Sequence, residues 1–105
     1  MAPTPQLGEL TIKVVNHGRL DVVIYVVHGG TRERIGESTA SATVSFTFGM
    51  RHLGAGREYS LLGEPIGGRT AARTETLVAD NGQLVIWTLE DDLRRSSVDV
   101  RSSQF

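Results

Sequence analysis

From Ser41 to Phe48 the chain alternates without a slip: Ala42, Val44, Phe46 and Phe48 are apolar, while Ser41, Thr43, Ser45 and Thr47 carry hydroxyls. A period of two residues puts every apolar side chain on one face of an extended strand and every hydroxyl on the other, which a helix cannot do. The same period governs most of the chain. Leu10, Ile12 and Val14 alternate with Thr11 and Lys13, and Asn16-His17-Gly18-Arg19 then reads as a hairpin turn. Leu20 to His28 carries Val22, Ile24 and Val26 on one face and Val23, Tyr25 and Val27 on the other, so this strand is apolar on both sides and has to be central or covered.

Turn residues punctuate the remaining strands. Gly29-Gly30 reverses the chain into a polar strand, Thr31 to Ile35, whose charges suit an edge, and Gly36 ends it. Arg57 to Leu62 and Ala72 to Ala79 are weaker strands, and Asp80-Asn81-Gly82 predicts a hairpin from the second of these into Gln83 to Leu89. About seven strands without crossover helices predict an all-β fold, two packed antiparallel sheets in an immunoglobulin-like sandwich, with a small barrel as the alternative. The inward positions give a core of Leu10, Ile12, Val14, Val22, Ile24, Val26, Val44, Phe46, Leu61, Val78, Leu84, Ile86 and Trp87. Residues 1–8 then read as an extended N-terminal tail, 9–89 as the sandwich domain and 90–105 as a charged C-terminal tail, with a helical turn at Glu90 to Arg95.

Composition narrows the function classes. A chain of 105 residues with 39% hydrophobic and 22% charged side chains makes one folded domain. Its net charge of -1 supplies no field for nucleic acid, and the lack of cysteine removes disulfides and thiolate chemistry. The longest apolar runs, Val22 to Val27 and Leu84 to Trp87, fall far short of the ~20 residues that cross a bilayer. Met1-Ala2-Pro3-Thr4-Pro5-Gln6 has neither the basic nor the apolar region of a secretory signal. The cytoplasm or the cytoplasmic membrane surface is therefore the expected location, with the periplasmic membrane surface as the alternative.

No catalytic constellation is visible. His17, His28 and His52 lack the spacing of a local metal pair, Glu90-Asp91-Asp92 lacks calcium-loop spacing, and no serine sits in a nucleophile elbow. Gly63-Glu64-Pro65-Ile66-Gly67-Gly68-Arg69 is glycine-rich but lacks the ending of a phosphate loop. A non-enzymatic protein with no cofactor and no bound metal is expected. Two features point instead to protein contacts. Gly49 to Gly54 puts Met50, Arg51, His52 and Leu53 on a connection that ought to be polar, and its other reading is a loop that tucks Leu53 onto the core. The tails offer Pro3, Pro5 and Leu7 at one end and Arg94, Arg95, Arg101 and Phe105 at the other, where arginine suits bidentate contacts with carboxylates or lipid phosphates.

Asp21-Val22-Val23-Ile24-Tyr25-Val26-Val27, then Gly30-x-Arg32-x-Arg34-Ile35-Gly36, and later Glu64-Pro65-Ile66-Gly67-Gly68 together resemble small uncharacterised bacterial β-sandwich proteins over about a fifth of the chain. Such proteins look similar to the membrane-extrinsic subunits that tie a bacterial photosynthetic reaction centre to its light-harvesting ring. The resemblance brings no catalytic residues. It implies a structural accessory subunit that docks on and stabilises a larger, membrane-embedded protein assembly, with pigments and quinone belonging to its neighbours. The competing expectation is a small-molecule or carbohydrate-binding module using loops at one end of the sandwich, for which Tyr25, Tyr59 and Phe105 are the aromatics left to build a platform.

Overall fold

The computed structural model describes residues 8–101. Its strands are β1 (Glu9–Asn16), β2 (Val22–His28), β3 (Thr31–Ser38), β4 (Thr43–Gly49), β5 (Glu58–Pro65), β6 (Ala72–Arg73), β7 (Leu77–Val78), β8 (Leu84–Leu89) and β9 (Ser97–Arg101). Short 3-10 turns at Met50–Leu53 and Leu93–Arg95 are the helical elements among the described residues. The strands form two sheets, β4-β1-β8-β9 and β3-β2-β5-β6, with β7 also paired to β5. The fold is thus the two-sheet, all-β sandwich, and no barrel closes among the described residues.

The strands follow from the alternation. Leu10, Ile12 and Val14 of β1 meet Val22, Ile24 and Val26 of β2 across the interior, all essentially without solvent contact. Gly29 and Gly30 both take positive φ, 54° and 78°, the pair of left-handed residues that a tight hairpin twisted like its strands requires. Two other glycines make room in the core. A Cβ on Gly63 would lie 2.8 Å from Val22 Cγ1 and 3.2 Å from the Trp87 ring, and one on Gly36 would lie 2.3 Å from Phe46 Cε1, so each bare backbone is a seat for an aromatic ring. Asn16 is buried and satisfied: its amide donates to Leu20 O at 3.0 Å and Ser38 O at 3.4 Å, and its Oδ1 accepts from Gly18 N at 2.8 Å.

That amide knot explains the first departure from the sequence expectation. Residues 17–21 do not close a hairpin but carry the chain from one sheet to the other, because Asn16 ties the crossing to the ends of both. Asp80-Asn81-Gly82 likewise crosses between sheets, since β7 pairs with β5 and β8 enters beside β1. The β1–β8 pair is parallel, an arrangement that a hairpin cannot make. Its register puts Val85 beside Ile12 and Trp87 beside Val14, so Val85, Trp87 and Leu89 are buried while Leu84 and Ile86 face outward. Both faces of β8 are apolar, and the indole, needing the most room, takes the inside.

Val78 is also on the opposite face from the one expected, 60% exposed opposite Glu58, while Leu77 and Ala79 are buried. Val44 and Phe46 do face inward but are only half-buried, because β4 is an edge strand with a neighbour on one side. Finally, Ser97–Arg101, placed by composition in a tail, is a full strand antiparallel to β8, and Val98 packs against the core.

Candidate protein-docking face

The outer face of the five-stranded sheet carries a continuous apolar stripe. β2 runs through its centre, and with Val22, Ile24 and Val26 inside, Val23, Tyr25 and Val27 point outward and are half-buried. Leu62 lies opposite Tyr25 on β5 and extends the apolar stripe. A register shift between β2 and β3 at Ile24/Tyr25 then sets Arg34 opposite Tyr25 and Arg32 opposite Val27. The Arg32 guanidinium stacks 4.6 Å from the centroid of the Tyr25 ring, and its Nη1 donates to Glu64 Oε2 at 2.8 Å. Arg34 Nη2 is 3.5 Å from Glu37 Oε2, and Arg73 lies opposite Leu62. Arg32 therefore roofs the aromatic ring of the stripe, and Arg34 and Arg73 flank the stripe at neighbouring register positions.

The loop and tail residues expected to make contacts are dispersed. Pro3, Pro5, Leu7 and Phe105 lie outside the described residues. Met50 and Leu53 are buried in the core, so packing consumes half of that loop and leaves Arg51 and His52 exposed. The His52 ring sits 5.3 Å from Phe48, and its Nδ1 is 3.3 Å from Glu33 Oε1, an oxygen also 3.7 Å from His28 Nε2. Arg94 and Arg101 are engaged by carboxylates two residues away, Asp92 and Asp99, and Arg95 is exposed. Arg51 and His52 are at the end of the sandwich where β1 begins, and Arg94 and Arg95 are at the end where it finishes. The expected contact residues do not form one surface.

A cleft of about 210 Å³ opens at the second of those ends, lined by Asn16, Leu20, Pro65, Arg69, Asp91 and Leu93 among others. Asp91 accepts hydrogen bonds from the Arg19 side chain at 2.9 Å and the Arg19 amide at 3.2 Å, which hold its carboxyl below the usual carboxylate range. Asp92 is lowered in the same direction by Arg94. Tyr59, expected as a platform aromatic, is instead in the core at 2% exposure; burial pushes its hydroxyl up to about 12 and leaves it without a hydrogen-bond partner among the described residues. Of the three platform aromatics, Tyr25 alone is on an outer surface among the described residues.

The Tyr25 face was within reach of the sequence, because the odd-numbered apolar residues of β2 are plain in Val23-Ile24-Tyr25-Val26-Val27. They signal a surface that wants cover but not what covers it. Placing Arg32 over Tyr25 needs the bulge, which no local pattern announces. Among the described residues no group of three or more His, Cys, Asp or Glu side chains is arranged to hold a metal ion, and no helix is long and apolar enough to cross a membrane. Comparison with protein families, with curated proteins and with solved structures found no match.

Proposed function

We propose that this chain is a non-catalytic accessory domain that docks on a larger protein assembly through the outer face of its five-stranded sheet. The observation that carries the reading is the half-buried stripe of Val23, Tyr25, Val27 and Leu62, with Arg32 stacked on Tyr25 and Arg34 and Arg73 beside the stripe. Tyrosine and arginine are the residues enriched at the centres of protein interfaces, and an arginine roof can swing aside onto partner carboxylates while the stripe beneath exchanges one apolar cover for another. The more specific form, an extrinsic subunit bridging a photosynthetic reaction centre and its light-harvesting ring, rests on the sequence resemblance.

The test is native purification of the tagged chain from mild-detergent extracts, beside a Tyr25→Ser/Leu62→Ser variant checked for a native fold by circular dichroism. Recovery of the wild type in a large complex that the variant loses supports the docking face. Recovery of both as a lone 11.4 kDa chain, or of both in the same complex, overturns it. A second reading, ligand binding in the cleft beside Arg19 and Arg69, is favoured by the exposed Leu20 at its rim and by the loops that build it. A rise in melting temperature with a small molecule, abolished by Leu20→Arg, would select that reading instead.

A further inference from the structure

A two-sheet sandwich has lateral edges, and each unpaired edge offers a row of N–H and C=O groups to another chain. Among the described residues, three of the edges are blunted. β3 carries Arg32, Glu33, Arg34 and Glu37 and a register shift; β9 carries Asp99 and Arg101; β6 is two residues long. The fourth edge, β4, has none of these protections. Thr43–Gly49 is seven residues long, holds no charge and no proline, and pairs with β1 along its whole length without a shift.

The two ends of the ladder fix the phase of its hydrogen bonds. Asn16 N donates to Ala42 O at one end of the β1–β4 ladder and Met50 N to Gly8 O at the other. Antiparallel pairs alternate every two residues, so Val44, Phe46 and Phe48 direct their backbone groups toward β1, and Thr43, Ser45 and Thr47 direct theirs outward. These outward residues are exposed. A run of donors and acceptors without a strand partner among the described residues, flanked by small hydroxyl side chains, is a template for one more strand.

We infer that the strand it accepts is β4 of a second copy of this chain, in antiparallel register about a two-fold axis at Ser45. In that register Ser45 faces Ser45 of the second copy and Thr43 faces Thr47 on the outer surface, while Val44 faces Phe46 on the inner one. Like meets like on both faces and no charge opposes another, the condition under which cross-strand pairs are favourable. Pairing joins the two four-stranded sheets into one continuous sheet, and the two-fold axis closes the assembly, so it stops at a dimer rather than growing into a fibre. The docking face proposed above lies on the other sheet and stays open on both copies.

Analytical ultracentrifugation over a concentration series, combined with hydrogen exchange, tests this pairing. The wild type is expected to move from monomer to dimer as concentration rises, with the amides of Thr43, Ser45 and Thr47 becoming protected in step while those of the β3 edge do not. Ser45→Lys puts like charges at the axis, and Ser45→Pro removes an outward N–H that β1 does not use; each is expected to weaken the dimer by about tenfold or more. A wild type that stays monomeric to millimolar concentration overturns the inference without any variant. A dimer that protects β3 instead, or one indifferent to both Ser45 substitutions, does so equally.

Discussion

The two outer faces of the sandwich both carry apolar residues and surround them differently. On the four-stranded sheet, the outward Val15, Leu84 and Ile86 are interspersed with the short polar groups of Thr11, Thr43, Ser45, Thr47, Thr88 and Asp99, with Lys13 opposite Ile86 and Arg101 opposite Leu84. On the five-stranded sheet, Val23, Tyr25, Val27 and Leu62 form one continuous apolar stripe, with Arg32 stacked on Tyr25 and Arg34 opposite it. The first face breaks up its apolar residues with hydroxyls, and the second gathers them into one stripe with an arginine stacked on its tyrosine. A solvated β-face takes hydroxyls because they fit the pleat and need nothing above them. The proposed docking rests on that stripe.

The comparison breaks if the stripe is a second core, and Trp87 sets the scale for that. Removing the indole, buried between the sheets and seated on Gly63, is expected to cost about 3–5 kcal/mol in chemical denaturation. Tyr25→Ala is expected to cost a small fraction of that. Should Tyr25→Ala approach Trp87→Ala, the outer stripe contributes to folding as a core does, and the docking face loses its basis.

The two tyrosines sharpen the same contrast, one inside and one outside. Burial raises Tyr59 from an ordinary value of 10.0 to about 12, so the folded state keeps a proton that the unfolded state releases. Its contribution is present in full below pH 10 and is lost as pH climbs toward 12, on the order of 2–3 kcal/mol across the window. Unfolding of a Tyr25→Phe chain, followed between pH 9 and 12, isolates the effect. Stability that stays flat over this range would put Tyr59 in contact with water and contradict its place in the core.

Gly36 tests the join between the two faces, since the Phe46 ring of one sheet rests on its backbone in the other. Gly36→Ala forces Phe46 off its seat, at an expected cost of about 1–3 kcal/mol. Because Phe46 belongs to β4, the substitution should also disturb self-pairing at that edge. A thermal shift within error would mean that the ring has somewhere else to go.

Much of the fold was legible because alternation is a local signal. β1, β2 and β4 could be drawn from their own residues, and Gly29-Gly30 announced its hairpin. What was not legible was non-local or two-sided. Asn81-Gly82 has the chemistry of a hairpin turn, yet whether the strand it leads into pairs back or crosses is decided by β1, some seventy residues earlier in the chain. In β8, where both faces are apolar, the period of two fixes that the faces differ but not which one goes inside. The Met50–Leu53 loop shows the same ambiguity at a site: an apolar residue on a connection signals contact, and the contact turned out to be with the protein's own core.

The smallest expected effect on stability belongs to Arg32, and it is the most telling about function. Its partners, the Tyr25 ring and Glu64, are on the solvated surface, where an ion pair adds little to folding. Arg32→Ala should therefore leave the melting midpoint where it is. If the roof takes part in docking, the same substitution should weaken capture of the partner. Arg32→Lys separates the two contributions, since it keeps the charge for a carboxylate but loses the flat guanidinium that stacks on the ring. Capture restored by lysine assigns the role to charge alone. Capture lost with both substitutions assigns it to the stacked plane, and capture unchanged with both would make the roof no more than cover for the stripe.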